Sequence, residues 1–157
     1  MVYWKALVAT SLLTASMGAA AVAESVTLKF HSFPPMPANS NAKFVKPWAD
    51  KVTAESNGEI KVEMYASMQL GGKPPQLADQ VREGVVDIIW TVAGYTPGRF
   101  PHLEAFELPF MPASAEATSQ AAHEYMMTVG AEDLKDYKVL AVHVHAPARS
   151  EERRVGK

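Results

Sequence analysis

Apolar and polar positions alternate over Val26-Thr27-Leu28-Lys29-Phe30-His31-Ser32-Phe33, which is the period of a half-buried strand. Pro34-Pro35-Met36-Pro37 ends it. Asn39 and Ser40 follow as candidate helix caps. Phe44, Trp48 and Val52, spaced by four, then predict one apolar helical stripe. Pro47 lies inside that stripe and lacks a backbone donor, so a kink or a first helical turn is expected there. Asn57-Gly58 reads as the helix stop. Ile60 to Tyr65 alternates again and predicts a second strand. Pro74-Pro75 opens a helix carrying Leu77 and Val81, with Gly84 at its end. Val85 to Ala93 is apolar except for Asp87 and Thr91, as in a parallel strand covered on both faces. Ser114 is placed to cap a helix running to about Val129, with Ala122, Tyr125, Met126 and Val129 on one side. Val139 to His145 predicts a fourth strand.

The order β-α-β-α-β-α-β implies an α/β fold with a mostly parallel sheet and right-handed crossovers. Ligands of open α/β sheets bind beyond the carboxyl ends of the strands. That rule gathers Ser32 to Pro35, Tyr65 to Gln69, Thr91 to Tyr95 and His145 to Ala148 near one edge.

Composition narrows the classes. The chain has 157 residues, enough for about one domain, and is 48% hydrophobic and 20% charged, a globular balance. A formal net charge of −2 provides no basic field for nucleic acid. Without cysteine there are no disulfides, no thiolate zinc sites and no thiol catalysis.

The two ends read differently from the rest. Residues 1–23 carry Lys5, an uncharged stretch from Ala6 to Ala23 and the cleavage pattern Ala21-Val22-Ala23. They are expected to be an export signal, leaving a mature chain that starts at Glu24 in the periplasm. The rival reading is a retained anchor, but the stretch is filled with Ala, Ser, Thr and Gly, which gain little from hydrocarbon. Arg149-Ser150-Glu151-Glu152-Arg153-Arg154-Val155-Gly156-Lys157 reads either as a solvated charged tail or as a non-native segment. It resembles the conceptual translation of a common sequencing adapter, so residues 149–157 are expected to be non-native.

Candidate chemistry concentrates at the strand ends. Phe33, Trp90 and Tyr95 are placed to form an apolar wall for a ligand body, and Thr91 lies among them. Trp90 reads equally well as core. His143 and His145 share one face of a strand. No third ligand is identifiable, so no metal is expected, and His145 is assigned to the pocket lining. Asp87, in an otherwise buried strand, reads either as a ligand or cation contact or, as expected of a buried carboxylate, as a structural group bonded to backbone donors or a helix start. Arg99 reads as an exposed loop arginine or as a partner for ligand charge. Met64, Met68, Met126 and Met127 read as core filler. No nucleophile, base and orienting group occur at recognisable spacing, nor does a phosphate loop, so neither catalysis nor a cofactor is expected.

A family resemblance rests on five stretches in order. They are Leu28-Lys29-Phe30, Asn57 to Tyr65, Gln69-Leu70-Gly71, Gln80 to Asp87 and Leu108-Pro109-Phe110. Together they resemble the N-terminal lobe of the solute-binding proteins of TRAP (tripartite ATP-independent periplasmic) transporters, often labelled dicarboxylate-binding. Gly94 to Pro101 with His143 to Pro147 resembles one subgroup. The resemblance covers 24–148, less than half of a full member, so an incomplete lobe of a two-lobed fold is expected. It implies capture of an organic acid between closing lobes and delivery to membrane permease subunits. It also implies an arginine fork for the ligand carboxylate. The matching region here reads Ala146-Pro147-Ala148, and the role is not carried onto Arg149. The aromatic set favours a ring-bearing ligand body over a bare four-carbon diacid. The alternatives are an ABC-type receptor of similar shape, distinguished by an ATPase gene nearby, and a secreted α/β enzyme.

Overall fold

The computed structural model describes residues 25–108 and 114–145. The expected signal, the Pro109-Phe110 motif residues, Ala146 to Ala148 and the charged tail lie outside the described residues.

Three strands form a parallel sheet in the order β2-β1-β3, with β1 at Val26–Ser32, β2 at Ile60–Tyr65 and β3 at Ile88–Trp90. This is the expected α/β arrangement. Central β1 pairs along its length with β2, from Val26 with Ile60 to His31 with Tyr65. On its other edge only Phe30, His31 and Ser32 pair, with Ile88, Ile89 and Trp90.

The third strand is shorter than the apolar run predicts. Gly84 turns at φ +73°, and the Val85 and Val86 N–H groups both donate to the carbonyl of Gln80. Those donors close the end of the preceding helix and are lost to the sheet. Val85 is 49% exposed, and Ile88, Ile89 and Trp90 are half-buried, so two-sided cover is not seen. Asp87 starts the pairing. Its N–H donates to the Lys29 carbonyl and its carboxylate accepts from the Lys29 N–H at 2.8 Å. The expected bonding to backbone holds, but the residue is exposed, not buried.

The first helix also corrects the pattern. Ser40–Val45 is a π-helical turn, continued by α1 at Lys46–Glu55 with Pro47 in its first turn. The Lys46 N–H reaches back five residues to the Asn41 carbonyl. This wider turn shifts the inward face by one position. Asn41, Val45 and Ala49 are buried, while Phe44 is 61% exposed. Asn39 is itself helical and makes no side-chain cap. Asn57 and Gly58 do stop α1, both in the left-handed region at φ +51° and +81°.

Helix α2 is Leu77–Arg82, α3 is the single turn Pro101–Glu104, and α4 is Ala115–Met127. Ser114 caps α4 as expected, its hydroxyl accepting from the Ala117 N–H at 3.2 Å. Thr118, Ala122 and Met126 face inward, whereas Val129 lies past the helix end and is exposed. Of the four methionines read as filler, Met126 is fully buried and Met127 is exposed. Ala78, Ala93 and Phe100 form a core with Ile89, Leu103, Leu134 and Tyr137 around it.

Residues 139–145 form no strand. The Val144 N–H donates to the Ser119 hydroxyl, which itself donates to the Ala115 carbonyl, and the Val142 N–H donates to His123 Nδ1. Ser119 and His123 sit one turn apart on α4, so side chains of that helix hold backbone that a sheet partner was expected to hold.

Asp133 ties the 3₁₀ segment Val129–Leu134 to α3. It accepts from the His102 N–H at 2.8 Å and from His102 Nδ1 at 2.9 Å. Burial pushes its carboxyl up, but the bonds from the His102 ring and from the His102 and Leu103 backbone outweigh burial and hold it below the ordinary 3.8. A carboxyl lowered in the folded state adds stability that is complete above its unfolded value and is lost as pH falls through the folded one. Thermal melts from pH 7 to pH 3 should therefore show stability dropping below about pH 4. In Asp133→Asn the drop should be shallower, with a loss of about 1–3 kcal/mol already at neutral pH.

Candidate functional site

The register leaves the three strands ending level, with Ser32 opposite Trp90 and His31 opposite Tyr65. Their following loops therefore share one edge of the sheet, as the parallel topology requires.

The loop after β1 is fixed by buried polar groups. Asn41 donates from its amide to the carbonyls of Pro34 at 2.9 Å and Pro35 at 3.2 Å, and accepts from the Ser32 hydroxyl. Ser67 and Met68, after β2, adopt left-handed backbone at φ +51° and +57°, which is unfavourable for both side chains. Their N–H groups donate to the carbonyls of Pro34 and Ser32, so the two loops are laced together. Beneath them His31 is fully buried, its Nδ1 bonded to Gln80 Oε1 at 2.7 Å and its Nε2 accepting from the Leu70 N–H.

On this frame four rings meet. Phe33 stacks on Trp90 with centroids 5.3 Å apart and an interplanar angle of 8°. Tyr95 meets Phe33 edge-on at 5.2 Å and 74°. His143 lies almost parallel to Trp90, at 11° and 5.6 Å. The Trp90 indole N–H donates to His143 Nε2 at 2.8 Å. Such a bond lies in both ring planes, so the two rings join edge to edge into one plate. Offset and edge-on geometries of this kind are the favourable ones for aromatic pairs.

Of the residues expected at the site, Phe33 and Tyr95 thus come together. Thr91 follows β3 directly, between Trp90 and the 3₁₀ turn Ala93–Tyr95. His145 is exposed two positions beyond His143, and Val142 and Val144 between and before them are half-buried. Among the described residues no group of three potential metal-ligating side chains occurs. Trp90 and His143 were legible as candidates, but a bond spanning 53 positions has no local signal. Glu107 had no signal at all, and it accepts from the Gly94 N–H at 3.0 Å, beside Tyr95.

Arg99 matches neither expectation. Its side chain is 23% exposed and bonds Asp79 at 2.9 Å and the Tyr137 hydroxyl at 2.7 Å. Arg99 holds the Asp79 carboxyl below its ordinary value, and Asp79 in turn raises the guanidinium. Arg82 bonds the same carboxylate at 2.9 Å. These groups pin α2 to the loop before α3 and to Tyr137, whose hydroxyl also donates to the Ala78 carbonyl.

Residues 35–149 match the bacterial extracellular solute-binding proteins of family 7, DctP, and the chain belongs to that family. A solved TRAP solute-binding protein of an unidentified marine metagenome microbe is 84% identical over 79% of this chain and 39% of its own, with a TM-score of 0.77. It is described as specific for aromatic acid ligands and was co-crystallised with 3-hydroxybenzoate. A TRAP solute-binding protein of Rhodoferax ferrireducens is 56% identical over 78% of this chain and 38% of its own, with a TM-score of 0.75 and copurified benzoate. The outer membrane transporter protein TsaT of Comamonas testosteroni is 31% identical over 88% of this chain and 41% of its own. The chain thus spans about two fifths of these relatives. They are solute-binding and transport proteins, and TRAP solute-binding proteins are periplasmic. No helix among the described residues is long and apolar enough to cross a membrane.

Asn41 sets the backbone that carries Phe33. Asn41→Ala strips the partner from a buried hydroxyl and one donor from each of two carbonyls, and should cost about 1–3 kcal/mol in urea denaturation. A loss near zero would show that water substitutes for the amide.

Proposed function

We propose that this chain is the ligand-capturing N-terminal lobe of a TRAP-type solute-binding protein for aromatic carboxylates. The observation that carries the reading is the aromatic cluster of Phe33, Trp90, Tyr95 and His143 at the level strand ends. A flat apolar plate with one polar edge matches a substituted benzene ring far better than it matches a four-carbon diacid. The ligands of the marine metagenome and Rhodoferax proteins support the same chemistry.

Phe33, Thr91, Tyr95 and His145 line the site, and Trp90 and His143 join them. Arg82 and Arg99 are committed to Asp79, so the carboxylate is held by a guanidinium outside the described residues. Binding is followed by closure of two lobes and delivery to membrane permease subunits, with no bond made or broken and no cofactor. The protein is exported to the periplasm with cleavage after Ala23. Residues 24–148 are native lobe and 149–157 are not.

The test is the thermal shift of the full-length protein. At a hundredfold excess over Kd, a ligand bound only by the folded state adds about 2.7 kcal/mol. 3-Hydroxybenzoate and benzoate should raise the melting temperature well above any effect of succinate. An equal or larger shift with succinate contradicts the reading.

A further inference from the structure

The Trp90–His143 bond fixes more than the plate. An indole N–H only donates, so His143 Nε2 is an acceptor and the ring is neutral with its proton on Nδ1. Among the described residues no acceptor is bonded to that Nδ1–H, and His143 is exposed. One neutral donor is thereby presented at the rim of the aromatic surface.

The charges nearby are of the wrong sign for a carboxylate. Glu107 bonds the backbone of Gly94, next to Tyr95. Among the described residues, no ion pair or cation–π contact brings a lysine or arginine to Phe33, Trp90, Tyr95 or His143. A desolvated carboxylate needs paired charge or several donors. A single neutral N–H suits a single neutral oxygen on the ring.

We propose that His143 is a specificity-determining residue whose Nδ1–H donates to a ring hydroxyl of the ligand, so that the site favours hydroxylated over unsubstituted aromatic acids. The proposal rests on the aromatic-acid reading above. Trp90 is then a positioning residue as well as a wall, because its N–H selects the tautomer that points a donor outward.

Calorimetric titration of the full-length protein with 3-hydroxybenzoate and with benzoate tests this. His143→Phe keeps a flat ring and loses the donor. It should weaken 3-hydroxybenzoate by about tenfold, the worth of one neutral hydrogen bond, and benzoate by less than about threefold. His143→Gln, which restores an N–H, should recover part of the loss for 3-hydroxybenzoate alone. Equal weakening of both acids, or of neither, overturns the role of His143 while leaving the aromatic-acid reading intact. Failure of the unaltered protein to bind either acid overturns both. Unchanged thermal melts of the two variants without ligand establish that the readout is binding and not folding.

Discussion

The aromatic edge of the sheet depends on β1, the only strand among the described residues that is paired on both sides. Its last residues, Phe30, His31 and Ser32, are buried; all three pair with β3, and Phe30 and His31 pair with β2 as well. A one-residue slip of β1 would reverse which of its side chains face the core. It would also pull Phe33 away from Trp90. Polar residues at the end of the strand reinforce the register instead of weakening it. Ser32 bonds Asn41, Asn41 holds the loop after β1 through Pro34 and Pro35, and His31 joins Gln80 of α2 to Leu70 after β2.

This division of labour explains why two loop residues tolerate left-handed backbone. Ser67 and Met68 are the central pair of a turn closed locally by the Gln69 N–H on the Ala66 carbonyl. Their N–H groups are turned toward the carbonyls of Pro34 and Ser32, and the surrounding bonds hold the strain in place. The charged residues work elsewhere. Arg82, Arg99 and Asp79 bind α2 to the Tyr137 segment, and Asp133 binds the 3₁₀ segment to α3. Among the described residues no ion pair or cation–π contact reaches the four rings of the aromatic edge, and the Glu107 carboxylate bonds the backbone beside Tyr95.

Period and punctuation made β1, β2, α4 with its Ser114 cap and the Asn57-Gly58 stop legible in the sequence, because each depends on neighbours a few residues apart. The inward face of the first helix was misplaced by one position because a π turn has no simple signature. β3 was overextended because the same apolar run serves a helix end, a strand and a 3₁₀ turn. The 139–145 segment alternates as a strand does, yet its backbone is held by Ser119 and His123, a long-range arrangement no periodicity encodes. The adjacency of Phe33 and Tyr95 follows from their places after strands, whereas the edge-to-edge union of Trp90 with His143 required the fold.

The central claim is that a ligand ring is received by this aromatic edge. A crystal structure of the full-length protein with 3-hydroxybenzoate tests it most directly. The account predicts the ring within about 4 Å of Trp90 and its aromatic neighbours at the level ends of β1 and β3. A ligand seated with its ring away from Phe33, Trp90 and Tyr95, those side chains touching only one another, would contradict it.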